Sequence, residues 1–118
     1  MTESKGKPFK LSERAFLFAR RMLELCNMIP DTPEGRRIRG QLSGAGLGIP
    51  TNIEEAEGAV TKKDKRKSFI TARKEAREAR IILRIISGKY IDDEIAAPEI
   101  QEATELVNIL SAIIDKLG

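Results

Sequence analysis

The stretch "QLSGAGLGIPTNIEEAEG", residues 41–58, decides the fold, because it admits three incompatible readings: a glycine-rich loop around a phosphate, a hinge, or a helix made of poor helix formers. Gly44, Gly46 and Gly48 spell G-x-G-x-G. That pattern lacks the G-x-G-x-x-G spacing of a dinucleotide site, the preceding strand, and the Gly-Lys-Ser/Thr ending that would set backbone amides and a lysine on phosphate. Ile38, Leu42, Ala45, Ile49, Ile53 and Ala56 instead recur at spacings of 4, 3, 4, 4 and 3, so one apolar face runs straight through the glycines. The helix reading carries an energetic condition. Each interior glycine costs about 0.8–1 kcal/mol relative to alanine, and an interior proline such as Pro50 about 3 kcal/mol. Burial against other helices must offset this, the small residues admitting close backbones and the proline a kink.

Working outward, the same periodicity appears three more times. Leu11, Ala15, Phe18, Met22, Leu25 and Ile29 form one stripe, with Ser12 as the expected N-cap. It stops at "IPDTPEG", where Pro30 disfavours helix in the residue before it, Thr32 caps a new helix and Pro33 suits its first turn. Thr61 with Asp64 three residues on resembles a capping box, and Phe69, Ala72, Ala76, Ala79, Leu83 and Ile86 follow as the third stripe, ended by Gly88. Ala103, Leu106, Leu110, Ile113 and Leu117 make the fourth, beginning near Asp92 or at Pro98, with the proline favouring the later start or a kink. Four such segments bury their stripes by packing antiparallel, which predicts an all-α, up-down-up-down four-helix bundle as a single domain over residues 1–118, with a short flexible N-terminal segment of about residues 1–10.

Composition narrows the chemistry. With 118 residues, 41% apolar and 33% charged, the chain suits one soluble helical domain. Cys26 is the only cysteine and histidine is absent, which excludes a Cys/His zinc site, a Ser-His-Asp triad and an intrachain disulfide. "MTESKGKPFK" has no apolar core of a signal peptide and no window approaches a membrane span, so a cytoplasmic protein without membrane contact is expected. The net charge of +3 hides a polarity: residues 61–90 carry 11 Lys/Arg against 3 Asp/Glu, and residues 91–118 carry 1 against 7. Such asymmetry serves an anionic partner or neutralises one helix with its neighbour.

"NIEEAEGA" at 52–59, "TKKD" at 61–64 and "KEAREARIILRII" at 74–86 closely resemble the bacterial four-helix bundle protein family, also described as the 23S ribosomal RNA intervening-sequence protein family. Weaker similarity extends from "FARRMLELCNMIP" to "ILSAIIDKLG". The resemblance implies an antiparallel four-helix bundle that assembles as a ring-shaped homopentamer, with no catalytic activity and no cofactor. A related accessory protein of diversity-generating retroelements binds nucleic acid and a reverse transcriptase, so RNA or DNA and such an enzyme are the partners the resemblance implies. The chain departs from the usual family pattern "QLLRSGTSIGANIEEA": an arginine is usual where Gly44 stands, a serine where Gly48 stands, and a phenylalanine where Lys65 follows "KKD".

Two groups of residues are candidates for function. Lys62, Lys63, Lys65, Arg66 and Lys67 cluster at the start of the third segment, and Arg73, Arg77, Arg80 and Arg84 follow at spacings of 4, 3 and 4. Clustered cations of this kind neutralise phosphates. The structural alternative is pairing of the arginines with Glu54, Glu55, Glu99, Glu102 and Glu105 across the bundle or a subunit boundary, which makes the lysine-rich cluster the better anion contact. Four phenylalanines and one tyrosine leave few stacking platforms, so any nucleic-acid binding is expected to be backbone-directed and salt-sensitive. Asn52, Glu54 and Glu55 form the family's recognisable polar motif; Asn52 is expected to hydrogen-bond across the bundle, and the two glutamates to pair with arginines of the third helix. Reading them as metal ligands or acid/base groups conflicts with the missing histidine of helical di-metal sites.

Overall fold

A computed structural model describes residues 10–118, and the expected N-terminal segment therefore lies, but for Lys10, outside the described residues. Four helices follow in order: α1 (Leu11–Cys26), α2 (Pro33–Gly58), α3 (Lys62–Ile86) and α4 (Asp93–Leu117). Helices of 25 or 26 residues at about 1.5 Å per residue span nearly 40 Å, which accounts for the 43 Å long axis. The short axis of 18 Å is two helix layers deep.

Local chemistry sets the ends. Thr32 Oγ1 accepts from the Gly35 N–H at 3.0 Å and Pro33 takes the first helical position, as the sequence predicts for α2. A Cβ on Gly35 would lie 1.8 Å from the Pro30 carbonyl oxygen, so only glycine allows this tight entry. Thr61 Oγ1 caps α3 by accepting from the Asp64 N–H at 3.0 Å, and Gly88 takes a left-handed φ of 74° just after α3 ends. One boundary differs from expectation and one open alternative is decided. Ser12 is already inside α1: Lys10 is the extended cap residue, and the Arg14 N–H reaches the Lys10 carbonyl at 3.0 Å. α4 takes the earlier of its two expected starts, at Asp93, and runs through Pro98, whose missing N–H removes one helical bond to the carbonyl of exposed Glu94.

The predicted stripes are the core. Every member of the α3 stripe is buried, as are Leu42, Ala45, Ile49, Ile53 and Ala56 of α2. In α4 the centre of the face lies slightly off the expected line: Ile114 is buried, while Ile113 and Leu117 pack half-buried against the core. Helices α1 with α2, α2 with α3, and α3 with α4 lie against each other over long seams, whereas α1 and α4 meet only over a short one.

The glycines of α2 divide by neighbour. A Cβ on Gly46 would stand 2.9 Å from Met22 Cβ of α1, and one on Gly48 would stand 2.8 Å from Glu75 Cγ of α3. These two glycines bring α2 close to its partners on both sides. Gly44 is exposed with nothing within 4 Å of a Cβ, so close packing explains two of the three glycines and not this one.

Candidate nucleic-acid interface

The Thr61 cap sets Lys62 and Lys63 in the first turn of α3, with Lys67 following, all three exposed. None of them forms an ion pair with an acid among the described residues. The other two cations of the cluster are committed inside the chain. Lys65 Nζ donates to the Ala56 carbonyl in the last turn of α2 at 3.0 Å, and Arg66 Nε donates to the Ile114 carbonyl in the last turn of α4 at 3.2 Å. Both satisfy carbonyls at the negative end of a helix dipole, where a cation is favoured. An open depression of about 750 Å³ lies between the start of α3 and the end of α4, lined by Lys62, Lys63, Arg66, Leu117 and Gly118.

The arginine stripe is used less within the chain than charge patterning suggests. Arg73 Nη1 donates to Ser111 Oγ of α4 at 3.1 Å, Arg80 is half-buried, and Arg77 and Arg84 are exposed. The acids of α4 turn to α1 instead. Arg14 binds Glu102 through both arms, Nε to Oε2 at 3.0 Å and Nη2 to Oε1 at 2.7 Å, and reaches Glu105 at 2.6 Å. Arg21 Nε donates to Glu99 Oε2 at 2.7 Å. Glu102 is buried, and its bonds, ahead of the opposing desolvation, raise the Arg14 guanidinium above its usual value. These contacts close the short α1–α4 seam, so Arg77 and Arg84 keep their charge outward.

The polar motif of α2 is also arranged differently from expectation. Asn52 does not reach across the bundle: its Nδ2 donates to the Gly48 carbonyl at 2.7 Å within its own helix. Thr51 Oγ1 serves the Leu47 and Gly48 carbonyls at 3.0 and 3.2 Å. Pro50 offers no N–H and disturbs the ladder around it, and the two residues after it supply side-chain donors to that turn. Glu54 and Glu55 make no ion pair with α3 among the described residues; they are exposed and line a groove of about 600 Å³ between α1 and α2 with Phe16, Ala19, Arg20, Leu23, Leu47, Pro50 and Thr51. Phe16, Leu23 and Leu47 are 44–49% exposed there. Sequence reading passed over this groove, although Phe16 and Leu23, seven residues apart and off the core stripe, were its visible signal.

Two titratable groups stand out. Burial, then the neighbouring Glu78, raise the Glu75 carboxyl where it lies against Gly48, opposed by Lys74. Burial likewise pushes the Cys26 thiol up, and its sulfur donates to the Arg39 carbonyl at 3.6 Å. Among the described residues no cluster of three or more His, Cys, Asp or Glu is placed to hold a metal ion, and no helix is long and apolar enough to cross a membrane.

Comparison with known proteins identifies the lineage of this bundle. The sequence model of the 23S rRNA-intervening sequence proteins matches residues 7–112. The chain belongs to that family. A crystal structure of a protein of unknown function from the S23 ribosomal protein family of Bacteroides thetaiotaomicron VPI-5482 superposes with a TM-score of 0.82 at 27% identity, over 89% of this chain and 98% of that one. No curated protein matches the sequence. Neither the family description nor that of the neighbour states a reaction.

Proposed function

We propose that this protein is a non-enzymatic, self-assembling helical bundle, pentameric by family resemblance, that binds RNA or DNA through the amino-terminal end of α3. The observation carrying this is the placement of Lys62, Lys63 and Lys67, exposed and without an acidic partner among the described residues, in the first two turns of a 25-residue helix. Cations at the positive end of a helix dipole are disfavoured, typically by about 0.3–1 kcal/mol each. A phosphate there relieves the mutual repulsion of the lysines and interacts favourably with the dipole. Lys65 and Arg66, engaged with the ends of α2 and α4, position the surface and are secondary contacts. A nucleic-acid enzyme such as a reverse transcriptase is the protein partner consistent with this reading.

The test is binding of the purified protein to short duplexes and single strands across a salt series. Affinity should fall steeply with salt, with a slope of about 0.9 per neutralised phosphate on duplex DNA. Replacing Lys62, Lys63 and Lys67 together by glutamine should reduce that slope by about 2–3, with helicity unchanged. An oligomer that binds no nucleic acid at low salt rejects the proposal and leaves a protein-interaction scaffold, a reading the apolar groove between α1 and α2 favours.

A further inference from the structure

Two surfaces of the chain complement each other yet cannot meet within one molecule. The first is the groove between α1 and α2: apolar along Phe16, Leu23, Leu47 and Pro50, with Glu54 and Glu55 on its α2 side and the Arg20 guanidinium 6.0 Å from the Phe16 ring centre. The second is the outward face of α3, where Lys74, Arg77, Ile81, Arg84 and Ile85 are all exposed, Ile81 at 46% and Ile85 at 60%. At about 100° per residue these five fall within one arc of roughly 100°, a continuous ridge opposite the buried Ala72, Ala76, Ala79 and Leu83. One surface is an apolar trough bearing acids; the other is an apolar ridge flanked by cations.

They also lie on different sides of α2, which turns Gly46 to α1 and Gly48 to α3. We infer that the groove of one copy receives the α3 ridge of the next, with Ile81 and Ile85 against Phe16, Leu23 and Leu47, and Arg77 and Arg84 facing Glu54 and Glu55. The contact is heterologous, joining two different patches, and such contacts build rings when the rotation closes and filaments when it does not. It rests on the reading of the chain as self-assembling and adds the surfaces that do it. It also divides the basic residues: Arg77 and Arg84 serve assembly, and the lysines at the start of α3 remain for the anionic partner. Neither opposing set of charges is neutralised among the described residues of the single chain, as an inter-subunit role requires.

A charge exchange tests this on the full chain by light scattering, with circular dichroism as the fold control. R77E with R84E, and separately E54R with E55R, should each reduce the mass to that of the monomer while helicity is retained. The four substitutions together restore the charge complement and should restore the oligomer. A wild-type oligomer whose mass neither pair of substitutions changes overturns the interface while leaving self-assembly standing. Loss of mass that the four-fold exchange does not recover also overturns it. A wild-type chain that is monomeric throughout rejects the assembly reading and this inference with it. Nucleic-acid binding measured on the R77E/R84E monomer keeps the two questions apart: per protomer, contacts through the lysines persist and only the avidity of the assembly is lost.

Discussion

At the scale of single residues, three glycines of one helix differ: two make room for a neighbouring helix and nothing in the structure explains the third. Gly46 sits where a Cβ would meet Met22 Cβ at 2.9 Å, whereas Gly44 faces open space. Alanine at either position gains the same helix propensity, about 0.8–1 kcal/mol, so the difference between the two variants isolates the contact. Gly44→Ala should stabilise by about 1 kcal/mol, and Gly46→Ala should fall below it by about 1–3 kcal/mol from overpacking, as read by chemical denaturation. Gly48 makes room for Glu75 to lie against α2, where burial and then Glu78 raise its carboxyl. A carboxyl held above its ordinary value keeps its proton longer in the folded chain than in the unfolded one. Stability therefore falls as pH rises from the ordinary glutamate value through the raised one, and stays lowered at neutral pH. Glu75→Gln should remove that fall, so that its melting temperature gains on the parent between about pH 4 and pH 7.

At the scale of elements, the inter-helix ion pairs among the described residues lie at the seam between α1 and α4. Arg14 and Glu102 have side chains only 12% and 5% exposed, so removing one partner leaves a desolvated charge. Breaking a buried pair costs about 3–5 kcal/mol; because Glu105 still holds Arg14, Glu102→Ala should lie near about 3 kcal/mol, measured by denaturant midpoint. Much of the element structure was legible beforehand. The caps at Thr32 and Thr61, the stop at Gly88 and the stripes through α2 and α3 were read from hydrogen-bonding side chains and period alone, because those signals are local. The start of α4 was less legible, since proline argues for Pro98 as a boundary, yet an exposed second turn can give one carbonyl to water. That Arg14 and Arg21, rather than the α3 stripe, take the acids of α4 depends on which helices adjoin at what rotation. No spacing within α3 carries that information.

For the whole molecule, the basic sequence between residues 61 and 90 becomes two surfaces with different consequences. The lysines at the start of α3 lie by the ends of α2 and α4, and the exposed arginines form a ridge beside Ile81 and Ile85. Substituting the three exposed lysines should weaken nucleic-acid binding without changing mass, while reversing Arg77 and Arg84 should change mass first; the two measurements on both variants separate the roles. By itself the sequence determined that the described residues form an all-α bundle, where α2 and α3 begin, and which faces are buried, because helical period and capping act over one or two turns. Only the tertiary structure decided which charges are neutralised, that Lys65 and Arg66 cap neighbouring helices, that Asn52 serves its own helix, and that a groove between α1 and α2 stays open. Those outcomes depend on the relative rotation and separation of helices, set by contacts between residues far apart in the chain, such as Gly46 against Met22 and Gly48 against Glu75.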